Sequence, residues 1–161
     1  MSRVGIRLLD VNVLLSLLDS AHQHHKISVR WFREVAVVHG WATCPLTENG
    51  YVRIISNPNY PNIRLSPAMA ANSLAAFKAG FPGIHHFWPD AICMTDTRLF
   101  DLSILTSPRQ LTDAYLAALA HSHSGHLATL DRGVPWRAVR GAASGLVELI
   151  DTIHQQYESV K

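Results

Sequence analysis

The stretch Leu8-Leu9-Asp10-Val11-Asn12-Val13-Leu14-Leu15-Ser16-Leu17-Leu18-Asp19 decides the fold, because it sets an acid, Asp10, inside apolar sequence. An ionised carboxylate there is costly unless it is neutralised, paired, bound to a metal, or placed where a strand leaves the core. The last two options fit best. Ile6, Leu8 and Leu9 read as the end of a buried strand, and Val13, Leu14, Leu17 and Leu18 recur at helical spacing after it. Asp10 therefore marks a strand-to-helix turn, and in open α/β sheets ligands bind at such turns, outside the carboxyl ends of the strands.

The same arrangement returns late in the chain. His126-Leu127-Ala128-Thr129-Leu130-Asp131 is a second short apolar strand ending in an acid, and Arg132-Gly133-Val134-Pro135 turns the chain away. Two helices also open on acids. Pro45-Leu46-Thr47-Glu48 starts one, with Thr47 as N-cap and Glu48 in the first turn, where the helix dipole favours negative charge; Ser56-Asn57-Pro58 stops it. Thr112 caps the other, with Asp113 in its first turn ahead of Ala114 to Ala120. Between these lie a helix with Ile27, Val29, Trp31, Phe32 and Val35 up to Gly40, a strand Trp41 to Cys44, a helix capped by Ser66-Pro67 and ended by Gly80, and a closing strand Leu146 to Ile150. Residues 57–64 read as a loop, and 81–90 as a turn-rich segment with a short strand at most. This is an α/β pattern: a central, mainly parallel sheet flanked by helices, in one domain over residues 1–150, with a polar tail over 151–161.

Length and composition agree with that frame. The chain has 161 residues, 48% hydrophobic and 16% charged, enough for one domain with a real core. Cys44 and Cys93 stand far apart, and no leader or long apolar run is visible, so the reading is a soluble, reduced, cytoplasmic protein without a membrane span. A net charge of +2 is compatible with nucleic-acid binding and does not establish it.

Asp10, Glu48, Asp113 and Asp131 share one kind of address, since strand ends and helix starts converge on one edge of a parallel sheet. Taken singly, each acid is more often solvated surface than ligand. Crowded together they repel one another unless a hard divalent cation sits among them, and oxygen-only ligation points to Mg²⁺ or Mn²⁺. No Gly-x-Ser-x-Gly elbow, P-loop or Gly-x-Gly-x-x-Gly fingerprint competes. The histidines at 22, 24, 25, 85 and 86 read as turn and loop residues ahead of metal ligands, the loop around 85–90 being packed by Phe87 and Trp88. Asp90 reads as a turn cap, with Asp96 and Asp101 as extra acids. Gly50, just inside the Glu48 helix, weakens that helix by up to ~1 kcal/mol relative to Ala and makes Glu48 the less secure ligand.

Leu-Leu-Asp-Val-Asn-Val-Leu-Leu, Leu-Thr-Glu-Asn-Gly-Tyr-Val-Arg-Ile-Ile-Ser-Asn-Pro, Phe-Trp-Pro-Asp, Gln-Leu-Thr-Asp-Ala-Tyr-Leu and Leu-Ala-Thr-Leu-Asp-Arg-Gly, in that order, resemble a PIN-domain ribonuclease of the VapC toxin family. The resemblance spans residues 6 to 150. It implies an endoribonuclease that hydrolyses RNA phosphodiester bonds with Mg²⁺ or Mn²⁺, a cognate VapB-type antitoxin and a homodimer. It further implies Asp10, Glu48, Asp113 and Asp131 as the acidic quartet, Asn12 and Thr129 as supporting polar residues, and Arg132 as a candidate phosphate contact. Two other functions stay open: a catalytically inactive PIN-like module that binds RNA or protein, and phosphoryl transfer on Asp10, against which Asn12 stands where a second Asp is wanted. Trp31 and Phe32 read first as a packing face of their helix, and the surface around Trp31, Phe32, Arg53 and Arg64 is either core or a candidate antitoxin groove.

Overall fold

The computed structural model describes residues 4–150; the sequence-read tail, residues 151–161, lies outside them. Five parallel strands form one sheet in the order β3-β2-β1-β4-β5. They are β1 (Arg7–Leu9), β2 (Trp41–Thr43), β3 (His85–Phe87), β4 (His126–Thr129) and β5 (Val147–Leu149). The helices are α1 (Val11–Leu18), α2 (His25–Trp31), α3 (Val37–His39), α4 (Pro45–Ile55), α5 (Pro67–Ala79) and α6 (Leu111–Ser122), with a π-helical stretch, Phe32–Ala36, joining α2 to α3. Starting from β1, the chain builds outward through β2 and β3, then returns to add β4 and β5 on the other side. That order puts a topological switch point between β1 and β4, where the loops leaving the two strands diverge and open a crevice.

Both sheet faces are covered, as a parallel sheet requires. Successive side chains on a strand point to opposite faces, so neighbouring residues enter different cores. Leu9, Trp41 and Ala128 pack with α1, α2, α4 and α5, while Leu8, Ala42 and Leu127 pack with α6 and Trp88. Between the layers, in the first of these cores, lies a buried ion pair: Arg7 Nε and Nη2 donate to Glu148 Oε2 at 3.2 and 3.0 Å, and the Trp31 indole N–H donates to Glu148 Oε1 at 2.7 Å.

Two glycines set the close approaches. Gly40 ends α3 at φ +89°, a conformation other residues rarely adopt. Gly50 is buried against α1, where a Cβ would stand 2.7 Å from Val11 Cγ2. The glycine that weakens α4 in isolation is thus what lets α4 lie against the start of α1 beside Asp10.

Several local expectations need correction. The Glu48 helix begins at Pro45, with Cys44 as N-cap; Thr47 sits at the third helical position, where its hydroxyl oxygen accepts from Cys44 N at 3.0 Å. The Asp113 helix is led in by a 3₁₀ turn, Pro108–Gln110, capped by Ser107, so Thr112 is inside the helix. Asp131 lies two residues beyond the end of β4, and Cys44 one beyond β2. Phe87 is exposed and only Trp88 of that pair packs inside. Asp19, at the end of α1, is buried and accepts from Tyr60 Oη at 2.8 Å and Asn62 Nδ2 at 2.6 Å, which fastens the 57–64 loop to α1. Trp31 and Phe32 are 0% and 4% exposed and belong to the core, so they offer no groove to a partner. No described helix is long and apolar enough to cross a membrane.

Candidate active site at the strand switch point

Asp10 follows β1 directly and caps α1, its extended backbone (φ −64°, ψ 158°) turning the chain from strand to helix. Its two carboxylate oxygens are held separately. Oδ1 accepts from Val11 N at 2.7 Å, and Oδ2 accepts from Thr129 Oγ1 at 2.7 Å and Asn12 Nδ2 at 3.1 Å. Thr129 reaches Asp10 because β4 runs beside β1 with Leu9 opposite Ala128. The Thr129 oxygen also accepts from Asp131 N at 3.0 Å and Asn12 Nδ2 at 3.0 Å. Asn12 is oriented in turn by Leu130 N, which donates to its Oδ1 at 3.1 Å.

Every donor named on Asp10 is neutral. Burial pushes the Asp10 carboxyl above its usual range; the bonds from Thr129, Val11 and Asn12 pull the other way, and the charge of Asp131 adds to the rise. Asp113, half-buried in the first turn of α6, is pushed up to about 6 by burial, then by the charges of Asp10 and Asp131. The fold therefore gathers Asp10, Asp113 and Asp131 within electrostatic reach of one another. Asp131 is exposed, and its Oδ1 accepts from Gly133 N at 2.6 Å. Arg132 follows it on the exposed loop.

Glu48 stands apart in its company. Its Oε1 accepts from Thr43 Oγ1 and from Lys78 Nζ, both at 2.6 Å. The Thr43 oxygen also lies 2.8 Å from His85 Nε2. Thr43 has one hydroxyl proton, so giving it to Glu48 assigns the His85 contact as Nε2–H donating to Thr43. Burial and the Lys78 charge push His85 down to about 4, which suits a neutral ring in that role. Sequence reasoning did not single out Lys78. It occupies the last turn of α5, where a cation is ordinary, and only the packing of α5 on α4 brings it to Glu48.

Among the described residues, no three His, Cys, Asp or Glu side chains close round a common point as a metal cage. The donor set nevertheless fits a hard divalent cation: Asp10, Asp113 and Asp131 offer only oxygen, and burial and mutual repulsion raise proton affinity on Asp10 and Asp113. The histidines at 22, 24 and 25 form no such cage; His25 Nδ1 lies 2.8 Å from Ser16 O. Asp96 holds Arg98, and Asp101 caps a 3₁₀ turn at Ser103.

No family model matches the chain. Ribonuclease VapC44 of Mycobacterium tuberculosis (strain ATCC 25618 / H37Rv) is 44% identical over 135 residues, 84% of this chain and 92% of its own length. Ribonuclease VapC39 of the same strain is 40% identical over 143 residues, 89% of this chain and 98% of its own. Ribonuclease VapC38 is 40% identical over 127 residues, 79% of this chain and 86% of its own. Among solved structures, a chain of FitAB bound to an IR36 DNA fragment superposes with a TM-score of 0.55 at 20% identity, covering 90% of this chain and 95% of that one. That likeness supports the PIN-type α/β fold. With relatives this similar over most of its length, the chain belongs to the VapC ribonuclease family.

Proposed function

We propose that the chain is an endoribonuclease, the toxin of a VapBC-type pair, which hydrolyses RNA phosphodiester bonds with Mg²⁺ or Mn²⁺. The observation that carries this reading is the cluster of Asp10, Asp113 and Asp131 at the switch point, with Asp10 held by neutral donors and surrounded by like charge. These three acids would hold the cation, with Glu48 as the fourth. The chemistry such a cation supplies when bound is polarisation of a phosphodiester and acidification of water.

The chain's own residues do the positioning. Thr129, Asn12 and Val11 N fix the direction of both Asp10 oxygens, so the carboxylate loses no further freedom when it is used. Arg132, beside Asp131, is the group we assign to a substrate phosphate. An antitoxin partner and a homodimer belong to the same proposal, which the chain's membership of the VapC family supports.

The test is cleavage of structured RNA in Mg²⁺ by the wild type and by Asp10→Asn and Asp113→Asn. Each variant should lose activity and stay folded, and Mn²⁺ calorimetry should show weaker binding by each. Cleavage unchanged in both would reject the site, while a wild type that neither binds Mn²⁺ at millimolar concentration nor cuts RNA would leave a PIN-like binding module.

A further inference from the structure

The fourth acid of the proposed site is already gripped by a cation of the protein's own. Lys78 Nζ and Thr43 Oγ1 converge on the same oxygen of Glu48, each at 2.6 Å. The pair is partly shielded, with side-chain exposures of 24% and 23%. Such a pair is less screened than one standing in open water. The grip is also built from several elements. Thr43 ends β2 and is tied to His85 of β3, while Lys78 comes from the last turn of α5 and lies over the Phe87 ring, 5.7 Å from its centroid. Glu48 is thus directed by two strands and a helix.

We propose that Lys78 is a positioning residue that holds Glu48 as a latch, so that a divalent cation drawing on Glu48 has to compete with the lysine ammonium. This rests on the reading that Asp10, Asp113, Asp131 and Glu48 form one cation site. The latch makes the site less greedy for metal than four unopposed acids would be. Replacing Lys78 by an apolar side chain of similar length removes the competitor, and with it the ammonium over the Phe87 ring, while keeping an unbranched stem.

The experiment is Mn²⁺ calorimetry on the full chain, with thermal melts as a folding control. Lys78→Met should bind Mn²⁺ roughly tenfold more tightly than wild type, the scale of a partly shielded ion pair. Lys78→Arg, which keeps the charge, should stay within about twofold, and this rescue separates a charge effect from a packing effect. In a Glu48→Gln background, Lys78→Met should change affinity little, because the latched group is gone. Lys78→Gln is measured in parallel, so a folding failure of one neutral variant does not remove the comparison.

Binding that is unchanged or weaker in the folded neutral variants, while Asp10→Asn still weakens it, overturns the latch and leaves the site standing. A tenfold gain that persists with Glu48→Gln also overturns it, since the lysine would then act through its general field. A wild type that binds no Mn²⁺, or whose binding ignores Asp10→Asn, overturns the site and the latch together.

Discussion

Glu148 and Asp10 are equally hidden, each 7% exposed, yet they live in opposite company. Glu148, in the middle of β5, meets the guanidinium of Arg7 and the indole N–H of Trp31, so its charge is cancelled inside the fold. Asp10, one residue past β1, is bonded only by neutral donors among its named partners and lies within reach of two more acids. Burial alone therefore says nothing about role. The difference lies in whether the compensating cation is part of the polypeptide, and this contrast is what the proposed cation site at Asp10 rests on.

Breaking the scaffold pair should cost most. Arg7→Met leaves Glu148 buried without its cation and should destabilise the protein by about 3–5 kcal/mol in urea unfolding, whereas Arg7→Met with Glu148→Leu should recover most of that loss. Asp10→Asn tests the other side: RNA cleavage should fall by about 10³-fold or more, the loss of several kcal/mol of charge stabilisation, with unfolding free energy unchanged or higher. If Asp10→Asn unfolds the protein as Arg7→Met does, the contrast between the two acids collapses.

The remaining predictions sharpen it. Gly50→Ala should destabilise by about 1–3 kcal/mol, because the new methyl meets the stiff Val11 side chain, although helix propensity alone argues for a gain of up to ~1 kcal/mol. Partial rescue by Val11→Ala would confirm the clash. Asp113→Asn, melted without divalent cations, should raise the Tm by ~2–4 °C, about 1 kcal/mol after screening of a half-buried carboxyl, since it removes a charge repelled by Asp10 and Asp131. The smallest effect concerns His85. Its folded value of about 4 lies below the ordinary 6.5, so the fold favours the neutral ring. That preference contributes stability above pH 6.5 and loses it as pH falls from 6.5 towards 4. Over that window the wild type should lose more thermal stability than His85→Gln.

What was legible in the sequence was whatever depends on neighbours in the chain. An acid closing an apolar run, at Asp10 and again near Asp131, announces a strand end, and the alternation of Leu8 and Leu9 between two cores follows from a sheet buried on both faces. What stayed hidden depends on contacts between distant segments. Nothing near Glu48 points to Lys78, thirty residues on. Arg7 and Glu148 are separated by 141 positions. Gly50 looks like a flaw in its helix until Val11 is seen against it. Trp31 and Phe32 look available to a partner because helical periodicity does not say which aromatic side chains the core has claimed. The helix starts lie a few residues earlier than the pattern implies because Cys44 and a short 3₁₀ turn do the capping that the local sequence offers to Thr47 and Thr112.

The hydroxyl of Thr129 has one more consequence. It donates to the carboxylate of Asp10 and receives the backbone N–H of Asp131 on the same oxygen. The carboxylate of Asp10 and the backbone of Asp131 thus hang from one pivot at the end of β4. The register of β4 on β1 thereby sets where both residues leave the sheet.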